Sequence, residues 1–371
     1  MTVNGSYVAA TACVCAYGVG VDALWNGMMS GRSALSSPPW ANGTATVVGT
    51  FEGLGQSQST RCEALALAVA QMIAAQEALS GPVGVVVGNG TANDHFDDGD
   101  EPGRIADAIG AHGPVAGVRS DCATGIASLE LAQAWLDLRA CESVLVVGTS
   151  SYADQVSMQL LSMSGALGSR SAGLPAPFGR QRRGTAVGEG AAALLLKRTS
   201  SSGLGPRVLG TGLTLNSHRL VAPPTSCAAL ARAIRKALKT SGIDPSMIAA
   251  IIAHGTGTEL NDEHEVRAIR DVFGADAQRV PITSIKRWLG HTFEASALFS
   301  VIAAMQALKT RTLPGCGTAI LDPEFEDLSI ADSHVELGQE RFMLVLAHGM
   351  GVINGVAVVG DSRPVKRAAS S

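Results

Sequence analysis

The chain has 371 residues, 46% of them hydrophobic and 16% charged, with 43 glycines and a formal net charge of -4. That composition supports a large core with many tight turns and is too apolar for a disordered chain. The slightly acidic balance and the lack of a long basic run exclude the electrostatic footprint of a nucleic-acid binder and a polybasic membrane anchor.

The cysteines fall at positions 13, 15, 62, 122, 141, 227 and 316. They form no pairs of metal-binding spacing, and Cys13-Val14-Cys15 is too short for a redox Cys-x-x-Cys. An odd cysteine count, no basic-then-apolar leader and no apolar run of ~20 residues lead to the expectation of a cytoplasmic protein without a metal or a membrane span.

In chain order, Tyr7 to Val21 reads as a strand and glycine-rich turn, Asp22 to Met29 as a short helix, and Arg61 to Leu79 as a helix with an apolar face. Val83 to Val87 is a β-branched run that delivers the loop Gly88-Asn89-Gly90-Thr91, and Asp94 to Glu101 reads as a solvated loop. Gly113 to Val118 has no helical period; the turn Arg119 to Gly125 then leads into the helical pattern Ile126 to Leu138. Ser143 to Val147 reads as a buried strand, Gln155 to Met163 as a helix, and Ala191 to Lys197 as a strand.

Ser200 to Gly205, rich in serine and glycine, is the best internal boundary, dividing the chain into residues 1–200 and 201–371. The second part repeats the first in outline. Ser226 to Thr240 is a helix, Ala249 to Ala253 a strand delivering His254-Gly255-Thr256-Gly257-Thr258, and Ala295 to Leu308 a helix after a turn. Phe342 to Leu346 and Ile353 to Val359 are closing strands around His348 to Gly351, and the tail from Arg363 is expected to be disordered. The shared element order points to an internal duplication.

Cys122 stands where a turn meets a helix, and unpaired N–H groups of a first helical turn would favour its thiolate. Taken alone, it reads more readily as a small buried apolar residue. A nucleophilic reading needs histidine partners, which His254 and His291 supply.

Three stretches, Asp121-Cys122-Ala123-Thr124-Gly125, His254-Gly255-Thr256-Gly257-Thr258 and Ser284-Ile285-Lys286-Arg287-Trp288-Leu289-Gly290-His291, together resemble the β-ketoacyl synthases, the decarboxylating condensing enzymes of fatty-acid and polyketide synthesis. Gly31-Arg32-Ser33, the Pro177 to Gly190 stretch, Asn261-Asp262 with Glu265 and the turn near Met350 follow in the expected order. The resemblance implies an α/β thiolase-like fold, two duplicated halves in a five-layered αβαβα sandwich, usually dimeric. It also implies that Cys122 accepts an acyl chain from a carrier-protein or coenzyme A thioester, that His254 and His291 line the malonyl site, and that Lys286 supports that site. Thr256 and Thr258 would contact the pantetheine arm, Met350 would gate the acyl pocket, and the backbone N–H groups of Cys122 and Met350 would form an oxyanion hole.

No separate cofactor is implied, since substrates would ride on the phosphopantetheine of an acyl carrier protein. The other partner would be a second copy or a second ketosynthase-like subunit. Arg180, Arg182, Arg183 and Arg287 are candidates for a basic patch facing the carrier protein. Asp262 and Glu265 read as braces of the following helix, and His95, His112, His218, His264, His334 and His348 as structural.

Some positions depart from the family's pattern. Asp121 places a carboxylate beside the nucleophile, which disfavours the thiolate. After His291 come Thr292-Phe293-Glu294-Ala295-Ser296 in place of small residues and a glycine, and Ser300 stands where a glutamate is usual. Besides a condensing enzyme, two readings stay open: a non-catalytic partner like the chain-length factors, and an acyltransferase that passes the acyl group from Cys122 to an alcohol or amine.

Overall fold

The computed structural model describes residues 5–38, 47–53, 58–91, 100–163, 165–167, 174–198, 204–216, 225–349 and 353–361. Met350, Gly351, His95, His218, the tail from Arg363 and most of the Asp94 to Glu101 and Ser200 to Gly205 stretches lie outside them. Among the described residues, no helix is long and apolar enough to cross a membrane.

Ten strands carry the architecture: β1 (Ser6–Cys15), β2 (Val83–Thr91), β3 (Val115–Val118), β4 (Ser143–Ser151), β5 (Gly190–Lys197), β6 (Pro206–Leu215), β7 (Ile248–Ile252), β8 (Ile282–Thr283), β9 (Phe342–His348) and β10 (Ile353–Asp361). They lie in the order β8-β7-β9-β10-β6-β1-β5-β4-β2-β3. Cut between β6 and β1, the sheet gives two sets of five with one topology, spatial order 1-5-4-2-3. In each set the first, fifth and fourth strands pair antiparallel, and the fourth, second and third parallel. Within the sheet the two sets are joined where Ser6 and Tyr7 of β1 face Val208 and Arg207 of β6.

The helices are α1 (Val21–Met29), α2 (Gln58–Gln76), α3 (Glu101–Ala108), α4 (Thr124–Asp137), α5 (Gln155–Met163), α6 (Ala228–Ser241), α7 (Glu259–Phe273), α8 (Lys286–Leu289) and α9 (Phe293–Thr310). α4 and α9 pack on each other and on both half-sheets, which explains why α9 is apolar around nearly its whole circumference. α2 and α3 cover the outer face of the first half-sheet, α6 and α7 that of the second. The result is the five-layered αβαβα sandwich.

Glycine permits the close approach of the two central helices: a Cβ on Gly125 would lie 2.9 Å from the Cβ of Ala297. Both helices also begin beside a non-glycine residue in the left-handed region, Asp121 at φ 47 before Cys122 and Phe293 at φ 35 after His291. Such residues cost ~1–3 kcal/mol each and gather at functional sites.

Most elements run within a few residues of the sequence expectation. Glu101 differs: it opens α3 with its side chain buried instead of lying in a solvated loop.

Candidate active site

Strand ends and helix starts from both halves converge on one cavity of about 410 Å³. Cys122 comes from the 3-10 turn Asp121–Ala123 that precedes α4. His254 follows β7, and its backbone N–H and that of Gly255 donate to the two oxygens of Glu265, each at 2.6 Å. Lys286 opens α8, and His291 sits between α8 and α9. All four side chains are buried.

Cys122 Sγ lies 2.9 Å from His291 Nε2. The His254 and His291 rings meet edge to face with centroids 5.0 Å apart, and Phe293 stacks on His291 at 4.5 Å. Donor atoms of Cys122, His254 and His291 all fall within 4.8 Å of one another. Lys286 Nζ donates to the carbonyl of His254, so its charge is held against the histidine loop. Thr256 and Thr258 line the same cavity, their hydroxyls 2.9 Å apart.

Burial, then the Lys286 charge, pushes the His254 and His291 imidazoles well below their usual range, so both are neutral. Burial likewise brings Lys286 down to about 8, against the pull of Glu265, Cys122 and Asp262. The Cys122 thiol moves opposite to what the helix start alone implies and in the direction expected of Asp121. Burial first, then the Glu294 charge, lift it well above the ordinary thiol range; the Lys286 charge opposes them, ahead of a smaller upward push from Asp121 and a smaller downward one from a backbone N–H. The cysteine is a thiol, and its partner is a neutral imidazole.

Asp262 and Glu265 brace the loops upstream of α7, not only the helix itself. Asp262 accepts from the N–H groups of Phe178 and Gly257, while Glu265 holds the turn after His254 and accepts from Asn261 Nδ2. Burial pushes the Asp262 carboxyl up to about 7. Of the arginines grouped as one patch, Arg182 is buried, paired with Asp322 and Glu263 and set over the Phe325 ring, so it does not face a partner. Arg287 is half-buried and donates to the Pro175 carbonyl. Arg180 and Arg183 are exposed, and Arg183 borders the cavity.

Two groups missed by sequence reasoning belong here. His264 and His348 both line the cavity. The His348 ring lies 5.1 Å from that of His254, and its Nε2 lies 3.1 Å from Glu265 Oε1. The available signal was its place at the end of an apolar strand, against a glycine turn. The other group is Glu294, whose Oε1 accepts from the Tyr152 hydroxyl at 3.1 Å and whose carboxyl burial pushes up to about 7. A charged residue inside the otherwise apolar start of α9 was its signal.

The N-terminal domain of β-ketoacyl synthase, as a sequence family, matches residues 41–202, and the C-terminal domain matches residues 207–318. A 3-oxoacyl-[acyl-carrier-protein] synthase 2 of Staphylococcus aureus (strain COL) is 28% identical over 264 residues, 69% of this chain and 64% of that protein. The chain thus spans a little under two thirds of such a relative. A mycocerosic acid synthase-like polyketide synthase of Mycolicibacterium smegmatis is 29% identical over 295 residues, 72% of this chain and 13% of that one.

Among solved structures, a type II polyketide-synthase acyl-carrier protein in complex with its ketosynthase bound to the hexaketide contains a chain that superposes with a TM-score of 0.88. That chain is 23% identical, and the match covers 97% of this chain and 100% of that one. A ketosynthase in complex with its chain length factor, from Xenorhabdus doucetiae, gives a TM-score of 0.85 at 21% identity, over 96% and 98% of the two chains. These likenesses establish the thiolase-like fold.

Proposed function

The chain belongs to the β-ketoacyl synthase family, and from that premise we propose that it catalyses a decarboxylating Claisen condensation between an acyl thioester held on Cys122 and a malonyl-acyl carrier protein. The observation that carries this reading is the 2.9 Å approach of the Cys122 sulfur to His291, inside a cavity that also holds the neutral His254 ring.

In the first step the sulfur attacks the acyl thioester carbonyl as His291 Nε2 takes the thiol proton, and the carrier thiol leaves with a proton. A thiol paired with a neutral imidazole is activated at the moment of attack and needs no resting thiolate. In the second step the bond from the malonyl α-carbon to its carboxylate breaks, CO2 leaves, and the electron pair spreads onto the thioester oxygen. N–H groups of two neutral imidazoles, His291 now in the tautomer with its proton on Nε2, can receive that charge in a dry site, and one such donor is worth ~10²–10³ in rate. The carbon then attacks the Cys122 thioester, the β-ketoacyl product forms, and the sulfur leaves as a thiolate that takes the His291 Nε2 proton, which water replaces.

In this reading Lys286 acts through its charge, keeping both rings neutral, and through its bond to the His254 carbonyl. Thr256 and Thr258 meet the pantetheine arm. The backbone N–H groups of Cys122 and Met350 receive the second oxyanion, and Met350 gates the acyl pocket. The division at residues 200 and 201, a cytoplasmic location and a homodimer or a heterodimer with a second ketosynthase-like subunit belong to the same proposal.

Acylation of Cys122 by an acyl-carrier-protein thioester, followed by malonyl-dependent discharge, tests it. A second reading, a non-catalytic partner subunit, is favoured by Glu294 beside Cys122, whose charge opposes the thiolate. It predicts no acyl adduct on Cys122. A ketosynthase-like acyltransferase predicts an adduct that only an alcohol or amine discharges.

A further inference from the structure

Sγ of Cys122 and one ring nitrogen each of His254 and His291 fall within 4.8 Å of one another, the one such group of thiol, imidazole and carboxylate donors among the described residues. Condensation uses each singly; together they are a ligand set. All three side chains are buried, and the cavity they share reaches the surface at Arg183 and Glu259, which are 63% and 59% exposed.

We propose that Cys122, His254 and His291 form a reversible site for a thiophilic divalent cation of the zinc class, whose binding blocks acylation of the sulfur. The site stands apart from the condensing-enzyme reading, whereas the block on acylation rests on it. On binding, the S–H bond breaks, a metal–thiolate bond forms and the proton passes to the buffer. Each imidazole gives a nitrogen lone pair, a water from the cavity completes the four-coordinate shell, and no redox change takes place.

The donor set selects the metal. One thiolate and two imidazoles suit zinc and its neighbours, while magnesium and calcium require oxygen ligands. Tetrahedral zinc, with bonds of ~2.0–2.3 Å, holds its ligand atoms about 3.4–3.6 Å apart. Here the sulfur stands 2.9 Å from His291 Nε2 and no donor pair exceeds 4.8 Å, so ring shifts of about 1 Å close the shell. The three ligands are spread over residues 122 to 291, which is why cysteine spacing along the sequence shows no metal motif.

Two features make the site reversible and not structural. Nδ1 of His291, the nitrogen turned away from the sulfur, is buried without a hydrogen-bond partner among the described residues, whereas resident sites orient their histidines through that second nitrogen. Lys286, its Nζ bonded to the His254 carbonyl, adds a positive charge beside the ligands.

The test is titration of the full chain, reduced and under argon, with Co2+ and then Zn2+. One equivalent of Co2+ should give a thiolate-to-cobalt charge-transfer band with the strong visible bands of a four-coordinate ion, and Zn2+ should displace it. Cys122→Ala, which keeps every other cysteine, should lose the charge-transfer band, and His254→Ala and His291→Ala should each weaken cobalt binding about tenfold or more. Thermal melts show which variants are folded. No charge-transfer band in the wild-type chain, a band that persists in folded Cys122→Ala, or unchanged cobalt affinity in either folded histidine variant overturns the site. Acylation of wild type by an acyl-carrier-protein thioester is scored with and without Zn2+: loss on adding zinc and recovery with EDTA are expected, and acylation unchanged at saturating zinc overturns the block. No acylation of the metal-free chain removes the condensing-enzyme reading together with the block, and leaves the site to the cobalt result.

Discussion

The sulfur of Cys122 and Nε2 of His291, 169 positions apart in the chain, are 2.9 Å apart. A ring nitrogen of His254 also falls within 4.8 Å of the sulfur, but its ring contact there is the edge-to-face one with His291. The two histidines should therefore separate by step. His291→Ala is expected to slow both acyl transfer to Cys122 and CO2 release. His254→Ala should leave acylation within a few-fold while lowering CO2 release by ~10²–10³. Intact-protein mass and trapped CO2 measure the two steps, and equal losses of both in His254→Ala would contradict the assignment.

Glu294 couples the site to pH. Its folded-state carboxyl sits at about 7, raised from 4.5 by burial. The folded chain thus holds a proton that the unfolded chain releases as pH rises from about 4.5, so stability falls between there and 7. Glu294→Gln removes that loss, a gain of about 3 kcal/mol at neutral pH, taking ~1.4 kcal/mol per pKa unit. Urea midpoints at pH 5 and 8 check it. The same change takes a charge away from Cys122, so iodoacetamide should alkylate the sulfur faster above pH 8.

The buried pair Arg61 and Glu189 ties α2 to the start of β5. Arg61 Nε lies 2.6 Å from Glu189 Oε2, which also accepts from Ser151 at 2.6 Å. Glu189→Gln leaves the guanidinium buried without its counter-ion and should cost ~3–5 kcal/mol. The exposed pair Arg183 and Glu259 should cost under about 1 kcal/mol when Glu259→Gln breaks it. Denaturant titration of both variants makes the comparison.

Gly255 has φ +44, and a Cβ there would stand 2.5 Å from the Ser284 Cβ. Gly242, which ends α6 at φ +69, has open space around it. Gly242→Ala should cost about 1 kcal/mol of stability and little activity. Gly255→Ala should cost more and also displace the loop that carries His254, so condensation should fall much further than stability. Turnover and melting temperature, measured together, separate the two effects.

Periodicity made the strands and helices legible, and the repeated element order exposed the duplication, because both follow from local patterns of burial. Cys122, His254, Lys286 and His291 came together as a set through the resemblance to the β-ketoacyl synthases. It did not reveal the state of Cys122. The turn before α4 supplies one backbone N–H, but the closed sandwich removes water from the sulfur and brings Glu294 from α9 toward it, and burial depends on tertiary packing. His348 escaped for a related reason: a histidine ending a strand becomes a cavity residue only when β9 is set beside β7 and the loop braced by Glu265. Arg182 was misplaced because its neighbours Arg180 and Arg183 face outward while its own side chain turns in to Asp322.

The most direct test of the central claim is the intact mass of the full chain after incubation with an acyl-carrier-protein thioester, wild type beside Cys122→Ala, before and after adding malonyl-acyl carrier protein. The account predicts one acyl adduct on wild type alone, discharged by the malonyl carrier into a β-ketoacyl product with release of CO2. No adduct on wild type, or an adduct that the malonyl carrier leaves in place, would contradict it.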